Sequence, residues 1–101
     1  MEEKIRFQSD ALNLEGRLYK GTARKGVVVT HPHTLFGGDM YNVVVESLVN
    51  GYRKKGYTTL RFNFRGAGMS EGNFEEGKGE QQDVRAAVAY LVDNFDLEQV
   101  D

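Results

Sequence analysis

The sequence contains no cysteine, only two histidines and no long basic stripe. Without cysteine the chain forms no disulfide framework and no thiolate metal site. Its longest basic run is Arg53-Lys54-Lys55 and its net charge is −2, so it lacks the electrostatic footprint that nucleic acid requires. We therefore expect no nucleic-acid partner.

The chain also lacks a long apolar run, and we expect no secretory signal. Its first residues, Met1-Glu2-Glu3-Lys4, are charged and lead directly into a strand-like segment, without an apolar core or a small-residue cleavage site. Charged residues make up 28% and hydrophobic residues 40% of the chain, which is too polar for a membrane span and too apolar for disorder. We predict a cytoplasmic protein with no membrane partner, whose 101 residues allow one domain.

What the chain does contain is an alternation of strand and helix patterns. Lys4 to Gln8 and Leu12 to Leu18 alternate apolar with polar residues, which predicts an antiparallel hairpin. Val27 to Thr30 is an unbroken β-branched run, typical of a central strand buried on both faces of a parallel sheet. Tyr57 to Phe64 returns to the period of two and predicts a second inner strand.

Two helices are predicted from apolar residues spaced three and four apart. The first begins near Asp39, runs for about four turns and ends at the glycine Gly56. Its apolar positions are Met40, Val43, Val44, Leu48 and Tyr52. A long glycine-containing loop, Gly66 to Gly79, precedes the second helix, whose apolar positions are Val84, Ala87, Val88, Leu91, Val92 and Phe95.

The order of these elements is β-β-β-α-β-α, and the part after the hairpin has the spacing of a right-handed βαβ crossover with a covering helix. The predicted fold class is therefore α/β, with a β-hairpin followed by β-α-β-α and a mostly parallel inner sheet. Leu97 to Asp101 is typical of the approach to a further strand that the chain does not reach. We expect residues 1–101 to form a single partial domain.

The segment His31-Pro32-His33-Thr34-Leu35-Phe36-Gly37-Gly38 lies between the valine-rich strand and the first helix. A glycine-bearing loop beyond the carboxyl end of a strand can turn its backbone N–H groups toward a developing oxyanion. A second interpretation is that the histidine and proline close the strand and the glycines turn the corner. A third is a metal site at His31 and His33, but no third ligand accompanies them, so we expect no metal.

The segment Arg65-Gly66-Ala67-Gly68-Met69-Ser70-Glu71-Gly72 follows the second inner strand and is similar to a dinucleotide-binding loop. Such a loop must lead immediately into a helix, whereas Asn73-Phe74-Glu75-Glu76-Gly77 follows here, and the nearby carboxylates would repel a phosphate. The interpretation we favour is a shaped loop in which Arg65 forms a structural salt bridge.

The same segment contains Gly68-Met69-Ser70-Glu71-Gly72, the G-x-S-x-G spelling of a serine nucleophile. That nucleophile needs a strand directly before its first glycine and a helix directly after the serine, and neither is predicted here. A triad of Ser70, Glu71 and either His31 or His33 stays open as an alternative, because both loops lie at the carboxyl ends of neighbouring strands.

These segments together resemble the α/β-hydrolase superfamily, in particular its small, lidless, dienelactone-hydrolase-like members. The resemblance is carried by the valine-rich strand, by His31-Pro32-His33 with Leu35-Phe36-Gly37-Gly38, by Leu60 to Gly72 and by the helix Asp83 to Leu91. It implies the N-terminal half of such a domain, and a serine hydrolase that acts on esters, thioesters or related acyl compounds without a cofactor.

The resemblance also implies roles for individual residues. The loop after the third strand would form part of the oxyanion hole, with His33 as backbone N–H donor and Thr34 or Leu35 as the next candidates. The residues expected to shape the two loops are His31, Pro32, Gly37, Gly38, Arg65, Gly66, Gly68, Ser70 and Gly72. In the family the nucleophile follows a fifth strand, and acid and base come later, so we expect all three to be absent and the chain alone to be inactive.

Three functions are compatible with this resemblance. The first is an N-terminal fragment of an acyl-ester hydrolase that carries the oxyanion loop. The second is an interaction module, since the family's third strand lies between the fourth and fifth, which would leave Val27 to Thr30 as an unpaired edge. That edge, or exposed helix faces, would then bind a second copy or the missing C-terminal half. The third is a small-molecule binder that uses the two glycine loops.

Overall fold

The computed structural model describes residues 2–32 and 38–101, which form one mixed sheet with helices on both faces. The elements in chain order are β1 Glu3–Ser9, β2 Leu12–Tyr19, β3 Lys25–Val29, α1 Val43–Lys54, β4 Thr58–Phe62, α2 Lys78–Asn94 and β5 Gln99–Val100. The strand order is β1-β2-β4-β3-β5. The predicted α/β class is confirmed. Within the described residues, neither helix has the length and apolar character needed to cross a membrane.

The predicted hairpin is confirmed. β1 and β2 pair antiparallel from Glu3 opposite Leu18 to Ser9 opposite Leu12. Asp10 turns the chain with a φ of 54°, a left-handed conformation that aspartate tolerates better than most residues. β2 then pairs antiparallel with β4, so the hairpin forms one margin of the sheet.

The sheet separates two apolar clusters. On the α2 side the buried members are Phe7, Leu14, Leu18, Leu60, Phe62, Ala87 and Leu91. On the α1 side, Val27 and Val29 of β3 pack with Val45 and Val49 of α1. Every residue of β4 is buried, because this strand lies inside the sheet and is covered on both faces. β3 and β4 pair in parallel through the crossover helix α1, as the spacing predicted.

The predicted start and buried face of α1 are wrong. The helix begins at Val43, after the N-cap Asn42, whose side-chain oxygen accepts a hydrogen bond from the Val44 N–H at 2.8 Å. Met40 lies before the helix and is buried, but it is not part of the helix. The exposed fractions of Val43, Val44 and Leu48 are 75%, 59% and 46%, so these predicted core positions face outward.

The reason is that α1 is apolar on more than one side. Val43, Val44 and Val45 are consecutive, and periodicity alone does not decide which of them meets the sheet. The valines of β3 decide it, because Val45 and Val49 are the pair that packs against them. The predicted glycine end is confirmed, since Lys55 caps the helix and Gly56 follows with a φ of 82°.

A fifth strand forms where the sequence predicted only the approach to one. Gln99 and Val100 pair in parallel with Lys25 and Gly26, and the Val28 N–H donates to the Asp101 carbonyl at 3.0 Å. Val28 of β3 therefore has a backbone partner, so the unpaired edge that was expected at residues 27–30 is shorter than predicted. A Cβ at Gly26 would lie 2.8 Å from the end of the Leu97 side chain, so the glycine lets this side chain pack closely against β3.

The orientation of α1 generates a matched pair of substitutions. We expect Val49→Ala to lower the free energy of unfolding by about 1.5–3 kcal/mol, because it removes buried methyl groups and leaves a cavity. Val44→Ala removes the same atoms from an exposed position and should change it by less than about 0.5 kcal/mol. Urea unfolding of the two variants measures the difference, and equal losses would contradict the orientation of the helix.

Candidate functional site

His31 ties the end of β3 to the end of β4. Its side chain is buried, and its Nε2 accepts a hydrogen bond from the backbone N–H of Phe64 at 3.0 Å. Because an N–H can only donate, the imidazole proton lies on Nδ1, which donates to the Pro32 carbonyl at 3.2 Å. The ring also meets the Phe64 ring edge to face, with centroids 5.0 Å apart. His31 is thus a neutral side chain with both nitrogens engaged.

Burial lowers the pKa of His31 below its ordinary value of 6.5, opposed in part by the Pro32 hydrogen bond and by the charge of Asp39. Protonation would also place a hydrogen on Nε2, which would oppose the Phe64 N–H. The folded chain therefore binds a proton at this site less readily than the unfolded chain.

This linkage predicts a loss of stability in acid. Since the folded pKa of His31 is the lower one, its contribution is fully present above pH 6.5 and is lost as the pH falls from there toward the folded pKa. We expect the free energy of unfolding to fall between pH 7.5 and 5.5, and to fall less in His31→Gln. Urea unfolding across this range measures both chains. Identical pH dependence in the two would contradict the assignment.

Met40 marks where the chain returns to the sheet after the connection that follows β3. Its N–H donates to the Asn63 Oδ1 at 2.7 Å, and its carbonyl accepts from the Arg61 Nη1 at 3.2 Å. Arg61 is itself held by Glu2 and by Glu46, whose oxygen lies 2.6 Å from its Nη1. Both described ends of the connection, His31 and Met40, are therefore attached to the carboxyl end of β4 and the residues just beyond it.

The predicted oxyanion donors His33, Thr34 and Leu35 lie outside the described residues, as does Gly37. Their assignment stays a prediction. Pro32 is exposed at the last described position before them, and Gly38 is half-buried at the first position after them.

Ser70 is engaged in a way that opposes a nucleophilic role. Its hydroxyl donates to the Asn63 carbonyl at 2.6 Å and its oxygen accepts from the Glu15 N–H at 2.9 Å. Glu71 accepts from the Asn13 N–H at 2.9 Å, and His31 is committed to Phe64. These hydrogen bonds oppose the alternative triad of Ser70, Glu71 and His31, and the version with His33 lies outside the described residues. Ser70 instead joins the glycine loop to the hairpin.

Arg65 holds the other end of the glycine loop. Its guanidinium is buried and bonds to Asp83 at 2.8 Å, to Glu75 at 2.9 Å and to Asp10 at 3.1 Å. The backbone N–H of Arg65 also donates to Asp83. Gly79 in the first turn of α2 leaves room for the guanidinium, because a Cβ there would lie 2.5 Å from its Nη1. These carboxylates, Asp83 foremost, raise the pKa of Arg65 above its ordinary value.

The nucleotide alternative finds no support in the glycine loop. The loop leads through turns into Gly77, and α2 begins only at Lys78. Glu80 accepts hydrogen bonds from the N–H groups of Glu75 and Gly77, so a carboxylate occupies the start of the helix where a phosphate would bind. Within residues 2–32 and 38–101, no three metal-ligating side chains converge on one point.

Sequence reasoning missed two residues of this region, Glu15 and Asn63. Asn63 donates to the Glu15 carboxylate at 2.7 Å, and the same carboxylate accepts from the Met69 N–H. The sequence did hold a signal for Asn63: its side-chain amide lies between two phenylalanines at the end of a predicted buried strand. A polar group buried there without a hydrogen bond would be destabilising. Asp83 had a similar signal, since it shares the buried face of α2 with Ala87 and Leu91.

Gly68 packs directly against this amide. Its φ is 50°, and a Cβ there would collide with Asn63 Nδ2 and lie 2.6 Å from the Glu15 carboxylate. Gly77 also has a positive φ, 92°, but a Cβ there would meet nothing within 4 Å. Substitutions at these two glycines therefore distinguish the cost of backbone strain from the effect of displacing Asn63.

We expect Gly77→Ala to cost about 1–2 kcal/mol of unfolding free energy from strain alone. Gly68→Ala should cost more and should shift the Met40 amide resonance, because Asn63 can no longer accept its hydrogen bond in place. Urea unfolding and ¹H–¹⁵N spectra of both variants measure this. An unchanged Met40 amide in Gly68→Ala would contradict the arrangement.

The fold matches solved structures of α/β hydrolases and their homologues. The chain superposes with a TM-score of 0.88 on an α/β serine hydrolase homologue from Coxiella burnetii, at 31% identity, covering 97% of this chain and 49% of that one. For an α/β serine hydrolase without a lid from Xanthomonas campestris the TM-score is 0.92, at 28% identity, covering 98% and 48%. The chain has the fold of the N-terminal half of an α/β hydrolase.

Other relatives extend the same finding. A protein of unknown function from Agrobacterium tumefaciens matches at 36% identity with a TM-score of 0.90, covering 97% of this chain and 46% of that one. An uncharacterized protein from Rickettsia prowazekii is 41% identical over 93 residues, which are 90% of this chain and 39% of the relative. No protein-family model matches. The chain thus spans less than half the length of each of these four proteins.

Proposed function

We propose that the chain forms the N-terminal half of a serine hydrolase of the carboxylic-ester or related acyl class. In this proposal it carries the oxyanion loop, and nucleophile, acid and base lie outside it. The observation that supports it is the superposition of 97–98% of the chain, at 28–31% identity, on an α/β serine hydrolase homologue and on an α/β serine hydrolase without a lid. These identities are high enough to support more than a shared fold, while the shares of those chains, 49% and 48%, leave room for the remaining catalytic groups.

The local geometry supports the assignment of the oxyanion loop. On either side of residues 33–37, His31 accepts a hydrogen bond from Phe64, and Met40 is hydrogen-bonded to Asn63 and to Arg61 of β4. Preorganised backbone donors are what an acyl-transfer site requires, because they stabilise the developing oxyanion without reorganising during the reaction. We propose His33, or else Thr34 or Leu35, as the donor in this chain. The engagement of Ser70 supports a nucleophile elsewhere.

A second candidate function is an interaction module, and the exposed apolar residues of α1 favour it. Val43 and Val44 are 75% and 59% exposed, and β3 has no described backbone partner beyond Val28 on its β5 side. Pairing with a second copy or with the C-terminal half would cover both features. A small-molecule site at the two glycine loops stays a prediction, and a surface cavity of about 380 Å³ lies away from them, beside Tyr19 and Arg53.

The free chain should be inactive. We expect no hydrolysis of p-nitrophenyl acetate above the buffer rate and no fluorophosphonate labelling of Ser70, because the hydroxyl proton is bound to a carbonyl and not to a general base. The Ser70→Ala variant is the control for any trace activity. Turnover that is present in the chain and lost in this variant would contradict the proposal.

A chimera tests whether the chain can serve as the N-terminal half of a serine hydrolase. The present chain replaces the 93 matched residues of the Rickettsia prowazekii relative, and both the parent and the chimera are treated with a fluorophosphonate. We expect both to be labelled at a serine outside the exchanged segment. A folded parent or a folded chimera that resists labelling would contradict a serine hydrolase.

A further inference from the structure

Two turns at the start of the parallel strands carry a large part of the positive charge of the chain. They are residues 20–25, which lead from β2 into β3, and residues 53–57, which lead from α1 into β4. Together they hold six of the 13 basic residues and no acidic residue, although the net charge of the chain is −2. The six are Lys20, Arg24, Lys25, Arg53, Lys54 and Lys55.

The fold brings these two turns into contact. The Ala23 N–H donates to the Gly56 carbonyl at 2.9 Å. A Cβ at Gly21 would collide with the Gly56 oxygen, so a glycine is needed for so close an approach. We refer to the surface that results, residues 19–25 and 50–57, as the basic end. It is not visible as a basic run in the sequence, because its two parts are distant along the chain.

Five of the six cations have no charged partner in the part of the chain that the structure describes. Arg24 binds Asp96 at 3.1 Å. None of the other five lies within salt-bridge distance of a carboxylate of residues 2–32 and 38–101. Like charges gathered at one place raise the local potential, which attracts anions. The basic end is therefore an anion-attracting surface on an acidic chain.

A cavity of about 380 Å³ opens at the basic end, and its lining is Tyr19, Asn50, Arg53 and Lys54. Arg53 is half-buried, and its guanidinium lies over the Tyr19 ring, 4.5 Å from the ring centroid. The ring attracts the cation through its π face and engages none of its N–H groups as donors. Among the described residues, the arginine side chains that donate hydrogen bonds are all others. Arg53 is thus held in place with its donors available.

Basic residues at the end of α1 also complement the helix dipole, but this does not account for the position of Arg53. The last carbonyls of the helix already accept backbone N–H groups. Tyr52 accepts from Lys55 and Tyr57, and Arg53 accepts from Gly56. These carbonyls need no cation as a hydrogen-bond partner. The Arg53 guanidinium instead lies to the side of the helix, over β2.

We propose that the basic end binds the phosphate group of a small soluble molecule, with Arg53 as the principal donor and Lys54 and Asn50 beside it. The planar fork of a guanidinium matches two oxygens of a phosphate, and an aromatic ring behind it keeps the fork oriented. A carboxylate would fit the fork equally well, but it carries one charge, whereas a phosphate dianion neutralises more of this cluster.

The cavity leaves room for the rest of such a molecule, since small-molecule sites span about 300–1,000 Å³. It lies at the opposite end of β4 from the predicted oxyanion loop. Tyr19 pairs with Thr59 near the start of β4, whereas His31 is bonded to Phe64 beyond its end. The proposal therefore does not rest on the hydrolase function.

Titration with inorganic phosphate tests this site, at an ionic strength held constant with sodium chloride. ¹H–¹⁵N spectra of the chain follow the side-chain amide of Asn50 and the backbone amides of Arg53 and Lys54. We expect saturable shifts concentrated at these signals. Equal shifts with chloride alone, shifts spread evenly over the surface, or no saturable change would overturn the proposal.

Matched variants locate the binding. Arg53→Gln should weaken phosphate binding about tenfold to a hundredfold, because it removes charge-assisted hydrogen bonds. Arg85→Gln makes the same change of charge at an exposed position of α2, on the other face of the sheet, and should change the affinity less than about twofold, since salt screens distant charges. Circular dichroism shows whether each variant is folded. Equal weakening by the two variants would mean that binding follows net charge alone and would contradict the site.

A second variant covers the case in which Arg53→Gln does not fold. Lys54 is exposed, so Lys54→Gln leaves the packing of α1 intact. We expect it to weaken phosphate binding about twofold to fivefold, the effect of one exposed charge. An affinity equal to that of the unaltered chain would remove Lys54 from the site and overturn the proposal.

Phosphate groups also occur in lipid headgroups, and vesicles distinguish the two sources. The four residues that line the cavity include no aliphatic side chain, whereas a surface that binds lipid inserts apolar side chains into the membrane. We therefore expect the chain not to sediment with phosphatidylcholine vesicles that contain phosphatidic acid. Sedimentation with these vesicles, without a saturable response to inorganic phosphate, would identify a lipid surface as the ligand and overturn the proposal.

Discussion

The buried guanidinium of Arg65 is the interaction on which the arrangement of the loops depends. A buried arginine is destabilising by several kcal/mol unless its N–H groups are paired, and here only 3% of the residue is exposed. Its partners come from three parts of the chain: Asp10 in the hairpin turn, Glu75 in the glycine loop and Asp83 in α2. Because none of these can leave without uncovering a buried charge, the three segments are held in one arrangement.

Asn63, two residues earlier, extends this constraint to the other face of the sheet. It receives the Met40 N–H and donates to Glu15, while its own carbonyl accepts the Ser70 hydroxyl. The end of β4 therefore positions the chain on its return from the connection after β3 and also shapes the glycine loop. Side-chain hydrogen bonds from the end of this packed strand thus fix the position of the chain next to the candidate oxyanion region.

Much of the fold was predictable because its signals are local. The alternation in the hairpin, the valine run of β3 and the glycine after α1 each depend on near neighbours in sequence, and all three are confirmed. The buried face of α1 was not predictable, because its consecutive valines make more than one side of the helix apolar. Only contact with Val27 and Val29 decides which side is buried. β5 was also missed, because a strand of two residues has no period of its own and forms only through pairing with β3.

The sequence by itself determined the class of fold, the order of the elements and the resemblance to α/β hydrolases, because residue spacing and short motifs express these directly. Only the tertiary structure decided what the polar residues do. It showed that His31 accepts a backbone N–H, that Ser70 is bound to Asn63 and Glu15, and that Glu15 belongs to the same network. The physical reason is that a buried polar side chain takes its role from partners brought within about 3 Å by folding, and those partners are distant in sequence.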